Sequence, residues 1–261
     1  MNIHKMSIKE IKDYLLSCEG ISAELEKQIQ ADTRSGVEAA YKLWLRKKEK
    51  TEQLYTLWHE MSAYERGLWS RGHSYIAGVD EVGRGPLAGP VVTAAVILPE
   101  TIYLPGLNDS KKVSPAKREE LYKQIRENAI AVSVGISDHH LIDTINIYQA
   151  TLRAMSSAVH NLPVAPTVLL NDAVTIPGVP MRQIPIIGGD AKSISIAAAS
   201  IIAKVERDRM MAEYDQVYPG YGFSRNMGYG TAEHLDALKV LGPSPIHRRS
   251  FAGVLQPAGE T

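Results

Sequence analysis

The chain has 261 residues, 44% hydrophobic and 22% charged, the proportions of an ordinary globular protein and not of a disordered one. Its 29 Lys+Arg balance 29 Asp+Glu, so the formal net charge is zero. That argues against indiscriminate adhesion to nucleic acid but leaves room for a local basic groove. No apolar run approaches the ~18 residues of a membrane span, and the single cysteine, Cys18, excludes a disulfide scaffold and a cysteine-based zinc site. The opening MNIHKMSIKE carries no apolar signal segment, so a reducing cytoplasm is the expected location.

Composition changes near residue 72. All three tryptophans (Trp44, Trp58, Trp69) precede it, and no proline does. Ser7-Ile8-Lys9-Glu10 is a capping-box pattern that predicts a short helix, with Gly20 as its stop. A second short helix fits 22–31. From Val37 to Trp69 the apolar residues recur at three- and four-residue steps, which predicts one long helix or two in tandem. The cluster Lys42, Arg46, Lys47, Lys48 and Lys50 reads as a solvated helix face or as a set of phosphate contacts.

Beyond Ser74 the texture is that of an α/β domain with a mixed sheet. Apolar runs bounded by glycine and proline predict strands at 75–79, 91–98, 129–136, 168–170 and 184–187. Helical patterns at 114–128, 142–160, 191–214 and 231–241 separate or follow them.

Acids end several of these strands. The first run stops at Asp80-Glu81, the run from Thr167 stops at Asn171-Asp172, and the run from Ile184 stops at Gly188-Gly189-Asp190. Ligand sites in α/β sheets form at the carboxyl ends of strands. Carboxylates gathered there repel one another unless a cation neutralises them. Oxygen-only donors favour Mg²⁺ or Mn²⁺ over zinc. Taken singly, each acid has a plainer reading: Asp190 as an N-cap of the helix after it, Asp80 and Glu81 as turn residues. Asp138, also at the end of an apolar run, reads as a helix cap. The loop Gly83-Arg84-Gly85-Pro86-Leu87-Ala88-Gly89 looks like a dinucleotide fingerprint, but a strand and not a helix follows it, so that reading fails. It brings backbone close to a ligand instead, with Arg84 as a phosphate-matching fork. Tyr229 lies in a glycine-flanked loop where its ring can stack on a sugar or base.

Five motifs then resemble one family, in the family's order. They are Asp80 to Pro90, Asp109-Ser110-Lys111-Lys112, Gly189-Asp190-Ala191-Lys192-Ser193, Ala197 to Lys204, and Gly228-Tyr229-Gly230-Thr231. Together they resemble bacterial ribonuclease HII, from about Tyr75 to Phe251. The resemblance implies a ribonuclease H-like mixed sheet flanked by helices, with a helical substrate-binding extension at 1–72. Residues 73–261 would form the catalytic domain with its C-terminal helical region. By motif position, Asp80, Glu81, Asp172 and Asp190 correspond to the catalytic metal site. Gly83, Arg84 and Gly85 correspond to the element that reads the 2′-hydroxyl, and Tyr229 to the tyrosine at the RNA–DNA junction. Lys111, Lys192 and Ser193 are expected substrate contacts. Asn171 stands where the family usually has an apolar residue and is expected to loosen its strand. Gly188 stands where a lysine is common, which removes a phosphate contact.

The implied chemistry is hydrolysis of RNA strands paired to DNA, and nicking 5′ of single ribonucleotides in duplex DNA. The ends left would be 5′-phosphate and 3′-hydroxyl. Two divalent ions, Mn²⁺ or Mg²⁺, roughly 3.5–4 Å apart, would activate water and stabilise the leaving oxygen. The expected partners are RNA/DNA hybrid and ribonucleotide-containing duplex, with the protein a monomer away from membranes. Two rivals stand beside this reading: a ribonuclease HIII-like nuclease without junction preference, and a non-catalytic hybrid-binding module.

Overall fold

The computed structural model describes residues 3–254. The chain forms two compact units, Met1–Leu57 and Trp58–Thr261.

In the first unit, helix α1 (Ile8–Ser17) begins with a complete capping box. The Ser7 amide donates to Glu10 Oε2 at 2.7 Å, and the Glu10 amide donates to Ser7 Oγ at 3.2 Å. The helix ends before Gly20, because Cys18 turns extended and its carbonyl accepts the Trp44 indole N–H at 3.2 Å. Helix α2 (Ala23–Gln30) is capped by Ser22, and α3 runs over Ser35–Met61. Ile11, Leu15, Leu25, Ile29, Val37 and Trp44 form the core of this unit. Much of its basic cluster is engaged locally. Lys42 pairs with Glu38 at 2.5 Å, Lys47 Nζ donates to the Leu16 carbonyl at 2.8 Å, and Lys48 lies over the Trp44 ring.

The second unit is built on a five-stranded sheet in the order β3-β2-β1-β4-β5. Its strands are β1 (Ile76–Val82), β2 (Val91–Ile97), β3 (Ala131–Ser137), β4 (Val168–Asp172) and β5 (Arg182–Ile186). The β1–β2 and β2–β3 pairs are antiparallel, whereas β4 runs parallel to both β1 and β5. Period-two alternation divides β1 between two cores. Ala77 and Val79 face a core shared with Met155 and Ala158 of α7 (Ile147–His160). Ile76 faces the other, with Leu68 of α4 (Ala63–Trp69) and Ile196 of α8 (Ile194–Val217). Gly78 shares that second face. A Cβ there would lie 2.0 Å from the carbonyl carbon of Ser195, so the helix backbone rests directly on the strand.

Sequence expectation and structure differ where local caps intervene. The pattern at 142–160 is two helices, α6 (His139–Ile145) and α7. Asn146 separates them at φ 69° and caps the second by accepting from the Gln149 amide. Asp138 caps α6, as expected, accepting from Leu141 N–H at 2.8 Å. Helix α8 starts at Ile194, capped by Ser193, so Asp190 is not its N-cap. It lies in a 3₁₀ turn over Gly189–Ala191. Helix α5 (Pro115–Asn128) starts with proline behind a Ser114 cap. The short α9 (Phe223–Asn226) was not visible in the pattern, and α10 (Ala232–Leu241) was. Asn171 does not loosen β4. It is fully buried, donates to Gln183 Oε1 at 2.7 Å, and sits in register between Val79 and Pro185. Among the described residues no helix is long and apolar enough to cross a membrane.

The unit boundary at Leu57/Trp58 lies well before residue 72, and α4 belongs to the second unit's core. Glu65 of α4 is fully buried and accepts from Ser193 Oγ at 2.5 Å and Ser195 N–H at 3.0 Å. A fragment starting at residue 73 loses this carboxylate and Leu68, and emptying a leucine site alone costs about 2–5 kcal/mol. We therefore expect residues 58–261 to melt cooperatively and 73–261 to melt several degrees lower or not fold. Equal melting temperatures in calorimetry would show that α4 is dispensable.

Candidate active site

The parallel pairing of β1 and β4 places their carboxyl ends side by side. Asp80 and Glu81 end one strand and Asp172 ends the other. The Gly189 amide donates to Asp172 Oδ1 at 2.8 Å, which ties the turn carrying Asp190 to the end of β4. Asp172 is the common neighbour, since its charge acts on Asp80, Glu81 and Asp190. All four expected acids are thus brought to one end of the sheet.

Their environment disfavours charge. Burial pushes the Asp80 carboxyl well above its ordinary value, and the Glu81 charge adds to this while the Ser200 hydroxyl partly offsets it. Burial also raises Glu81, against the pull of Arg84, whose Nη1 lies 3.3 Å from Glu81 Oε1. Asp190 is raised by burial, then by Asp109 and Asp172, with Lys111 opposing. Lys111 and Asp109 therefore stand beside Asp190. Lys192 is exposed and donates to the Ile187 carbonyl at 2.8 Å, bracing the same turn.

Ser193 departs from expectation. It is fully buried, caps α8 and bonds Glu65, so it holds the helix and offers no surface to a substrate.

The donor set suits a hard divalent cation. Every ligand-type atom is a carboxylate oxygen, and Glu81 Oε2 is buried with no hydrogen-bond partner. Among the described residues no three acidic or imidazole side chains close into a ready-made cage.

The glycine loop joins β1 to β2 as a hairpin connection. Gly83 has φ 91°, and a Cβ there would lie 2.2 Å from Arg207 Nε. Gly85 differs, because a Cβ would meet only the Tyr229 ring, at 3.6 Å. The Tyr229 ring therefore stands beside the loop. Behind Tyr229, its carbonyl lies 2.9 Å from His234 Nδ1, and His234 Nε2 lies 3.0 Å from His247 Nε2. The Ser244 amide donates to His247 Nδ1 at 2.9 Å, which assigns the remaining proton of His247 to Nε2. His247 then donates to His234, and His234 donates to the Tyr229 carbonyl, with both rings neutral.

Sequence reading missed Glu65, the His234–His247 pair and the roles of Arg207 and Arg248. Arg207 left a trace: it interrupts the stripe Ser200, Ala203, Met211 on the buried side of α8. Glu65 left none, because its partner lies 128 residues away.

The comparisons fit this site. A family model for Ribonuclease HII matches residues 77–254, and one for the Ribonuclease HII N-terminal domain matches 7–69. A ribonuclease HII of Enterococcus faecalis is 55% identical over 250 residues, covering 96% of this chain and 98% of that one. Among solved structures, ribonuclease H2 of Pyrococcus horikoshii aligns with TM-score 0.61 at 27% identity, over 69% of this chain and 95% of that one. The Mn²⁺ complex of Bst-RNase HIII aligns with TM-score 0.54 at 19% identity, over 69% and 68%, a likeness of fold alone. Fold and site define a ribonuclease H-like hydrolase. The chain belongs to the ribonuclease HII family, and it is an endoribonuclease.

Two outcomes follow from the buried charges. Asp80→Asn removes a carboxylate that burial and Glu81 both oppose, so the metal-free variant should be more stable by about 1 kcal/mol, roughly 2–4 °C in Tm for a domain of this size. Mn²⁺ should raise the Tm of the wild type more than that of the variant. A variant that melts below the wild type without metal would refute this. The histidines give a pH signature. Burial holds His234 below its ordinary value, and burial with the His234 charge lowers His247 from 6.5 to about 4. The unfolded chain takes up these protons first. Stability from the pair is therefore complete above pH 6.5 and lost as pH falls towards about 4. Urea melts between pH 7 and 4.5 should show this slope, and His247→Gln should flatten it.

Proposed function

We propose that the enzyme nicks 5′ of a ribonucleotide that is followed by a deoxyribonucleotide, as well as cutting the RNA strand of hybrids. The observation that supports this is the placing of the Tyr229 ring 3.6 Å from the position of a Cβ on Gly85, in the loop that directly follows Asp80 and Glu81. Backbone groups at Gly83 and Gly85 would bond the 2′-hydroxyl, the group that distinguishes RNA from DNA. Tyr229 would stack on the next sugar, where a second hydroxyl would crowd it. Asp80, Glu81, Asp172 and Asp190 would hold divalent ions, Mg²⁺ or Mn²⁺. When bound, these supply an activated water and charge stabilisation at the leaving oxygen. Arg84 and Lys111 would neutralise phosphate near the acids, and Lys192 would keep the Asp190 turn in place. The products would be 5′-phosphate and 3′-hydroxyl ends. The N-terminal helices would add duplex contacts through the basic face of α3. The substrate would be nucleic acid in the cytoplasm, met by a monomer.

Product mapping on a duplex with one ribonucleotide tests the reading. The nick should leave the ribonucleotide at the 5′ end of the downstream fragment, and a nick on its 3′ side would refute the assignment. Gly85→Ala should fold and melt like the wild type, since its Cβ meets nothing closer than ordinary contact. It should nonetheless cut the one-ribonucleotide duplex at least about tenfold more slowly, a loss of roughly 1.4 kcal/mol. A wild-type rate would show that the space beside Tyr229 is not where the sugar lies.

A further inference from the structure

Arg207 and Arg248 are the two largest fully buried side chains among the described residues. Among those residues neither forms an ion pair. Their guanidinium groups donate to backbone carbonyls. Arg248 reaches Gly89 O from Nε at 2.9 Å, Arg84 O from Nη1 at 2.9 Å and Gly83 O from Nη2 at 2.6 Å. Arg207 reaches Pro90 O from Nε at 2.9 Å, Ala88 O from Nη2 at 3.2 Å and Met227 O from Nη1 at 2.9 Å. Five of these carbonyls belong to the 83–90 loop, and the sixth lies two residues before Tyr229. The Arg248 guanidinium also sits 5.0 Å from the Phe251 ring centre, which restrains its plane.

The loop's donors divide. The Leu87 amide donates to the Gly228 carbonyl at 2.8 Å and the Gly89 amide to the Ile246 carbonyl at 2.9 Å, whereas among the described residues the amides of Gly83, Arg84 and Gly85 enter no hydrogen bond. A backbone segment whose carbonyls are engaged and whose amides are not presents N–H groups to a ligand oxygen. A buried guanidinium without a carboxylate is costly. Burial lowers Arg207 to about 10, and burial with the Arg207 charge lowers Arg248 to about 9. Apolar side chains of similar volume would fill the same space at less cost. What they cannot do is hold several carbonyls in one rigid plane.

We propose that Arg207 and Arg248 are positioning residues for sugar recognition, fixing the Gly83–Gly85 amides and the Tyr229 ring at one spacing so that a ribose and the deoxyribose after it are read together. This rests on the function proposed above for the loop. Arg207 sets the spacing between the two loops, since it bonds both. Arg248 sets the direction of the Arg84 and Gly85 amides, since it holds the carbonyls of Gly83 and Arg84 in the same planar peptide units.

The test uses the full-length protein with Mg²⁺ and two duplexes, one with a single ribonucleotide and one a continuous RNA/DNA hybrid that contains no RNA-to-DNA step. Arg207→Lys and Arg248→Lys keep the charge and lose the fork. Each should lower the single-turnover rate ratio, one-ribonucleotide over hybrid, at least tenfold, with Mn²⁺ affinity unchanged and Tm within a few degrees of the wild type. Arg248→Met, which keeps most of the bulk and removes all three bonds, should also fold and lose the ratio. Equal losses on both duplexes, or an unchanged ratio, would make the arginines scaffold only and overturn the proposal. So would failure of both the lysine and methionine variants to fold. A wild-type enzyme that ignores the one-ribonucleotide duplex would bring down the function proposed above, and this inference with it.

Discussion

Helix α8 can lie directly on β1 because Gly78 has no side chain to hold it away. That close approach sets the helix against the strand like a ruler. Its first turn meets Glu65 through Ser193 and Ser195, and its second brings the Ser200 hydroxyl to Asp80. Two turns further on, Arg207 reaches under the glycine loop that continues β1. Strand and helix are therefore read in parallel, and the acids and the loop occupy successive stations along one contact. A side chain at 78 would lift the helix and misplace every later station.

The site is assembled against its own electrostatics. Asp80, Glu81 and Asp190 are all raised, burial first, and Asp172 presses on each of them. Beside them, two guanidinium groups are buried without acids of their own. Negative and positive groups are kept apart: the acids at the strand ends, the cations under the loop, with Arg84 touching both regions through Glu81. Such separation stabilises the free protein less than direct pairing would. At the strand ends it leaves carboxylate charge that a bound cation would neutralise, whereas the buried guanidinium groups are compensated by the loop carbonyls they hold.

Much of this was legible in the sequence. The strands, their acidic ends and the hairpin nature of the glycine loop follow from period, composition and the run after the loop. What escaped reading shares one property, which is dependence on distant partners. Ser193 looked like a substrate contact because it follows Asp190, but Glu65 holds it from a helix 128 residues earlier. Arg248 lies 159 residues from the carbonyl of Gly89 that it binds. Helix ends were misjudged for a different reason. Asn146 and Cys18 terminate or restart helices through single dihedral choices that hydrophobic period does not register. Asn171, expected to loosen its strand, is held by a glutamine on the neighbouring one.

That neighbouring strand has a consequence of its own. Among the described residues β5 is an edge, paired on one side only, and just this one strand lies beyond the strand that carries Asp172. Pro185, its fourth residue, lies opposite Asn171 and has no amide hydrogen to offer, while Arg182 places an exposed cation at its start. Such an edge is a poor template for another chain's backbone. The sheet is thus closed to growth on the side nearest its chemistry. A concentrated solution or a crowded cell then has little means of recruiting β5 into intermolecular strand pairing, so the strand beside Asp172 is guarded against aggregation by a proline.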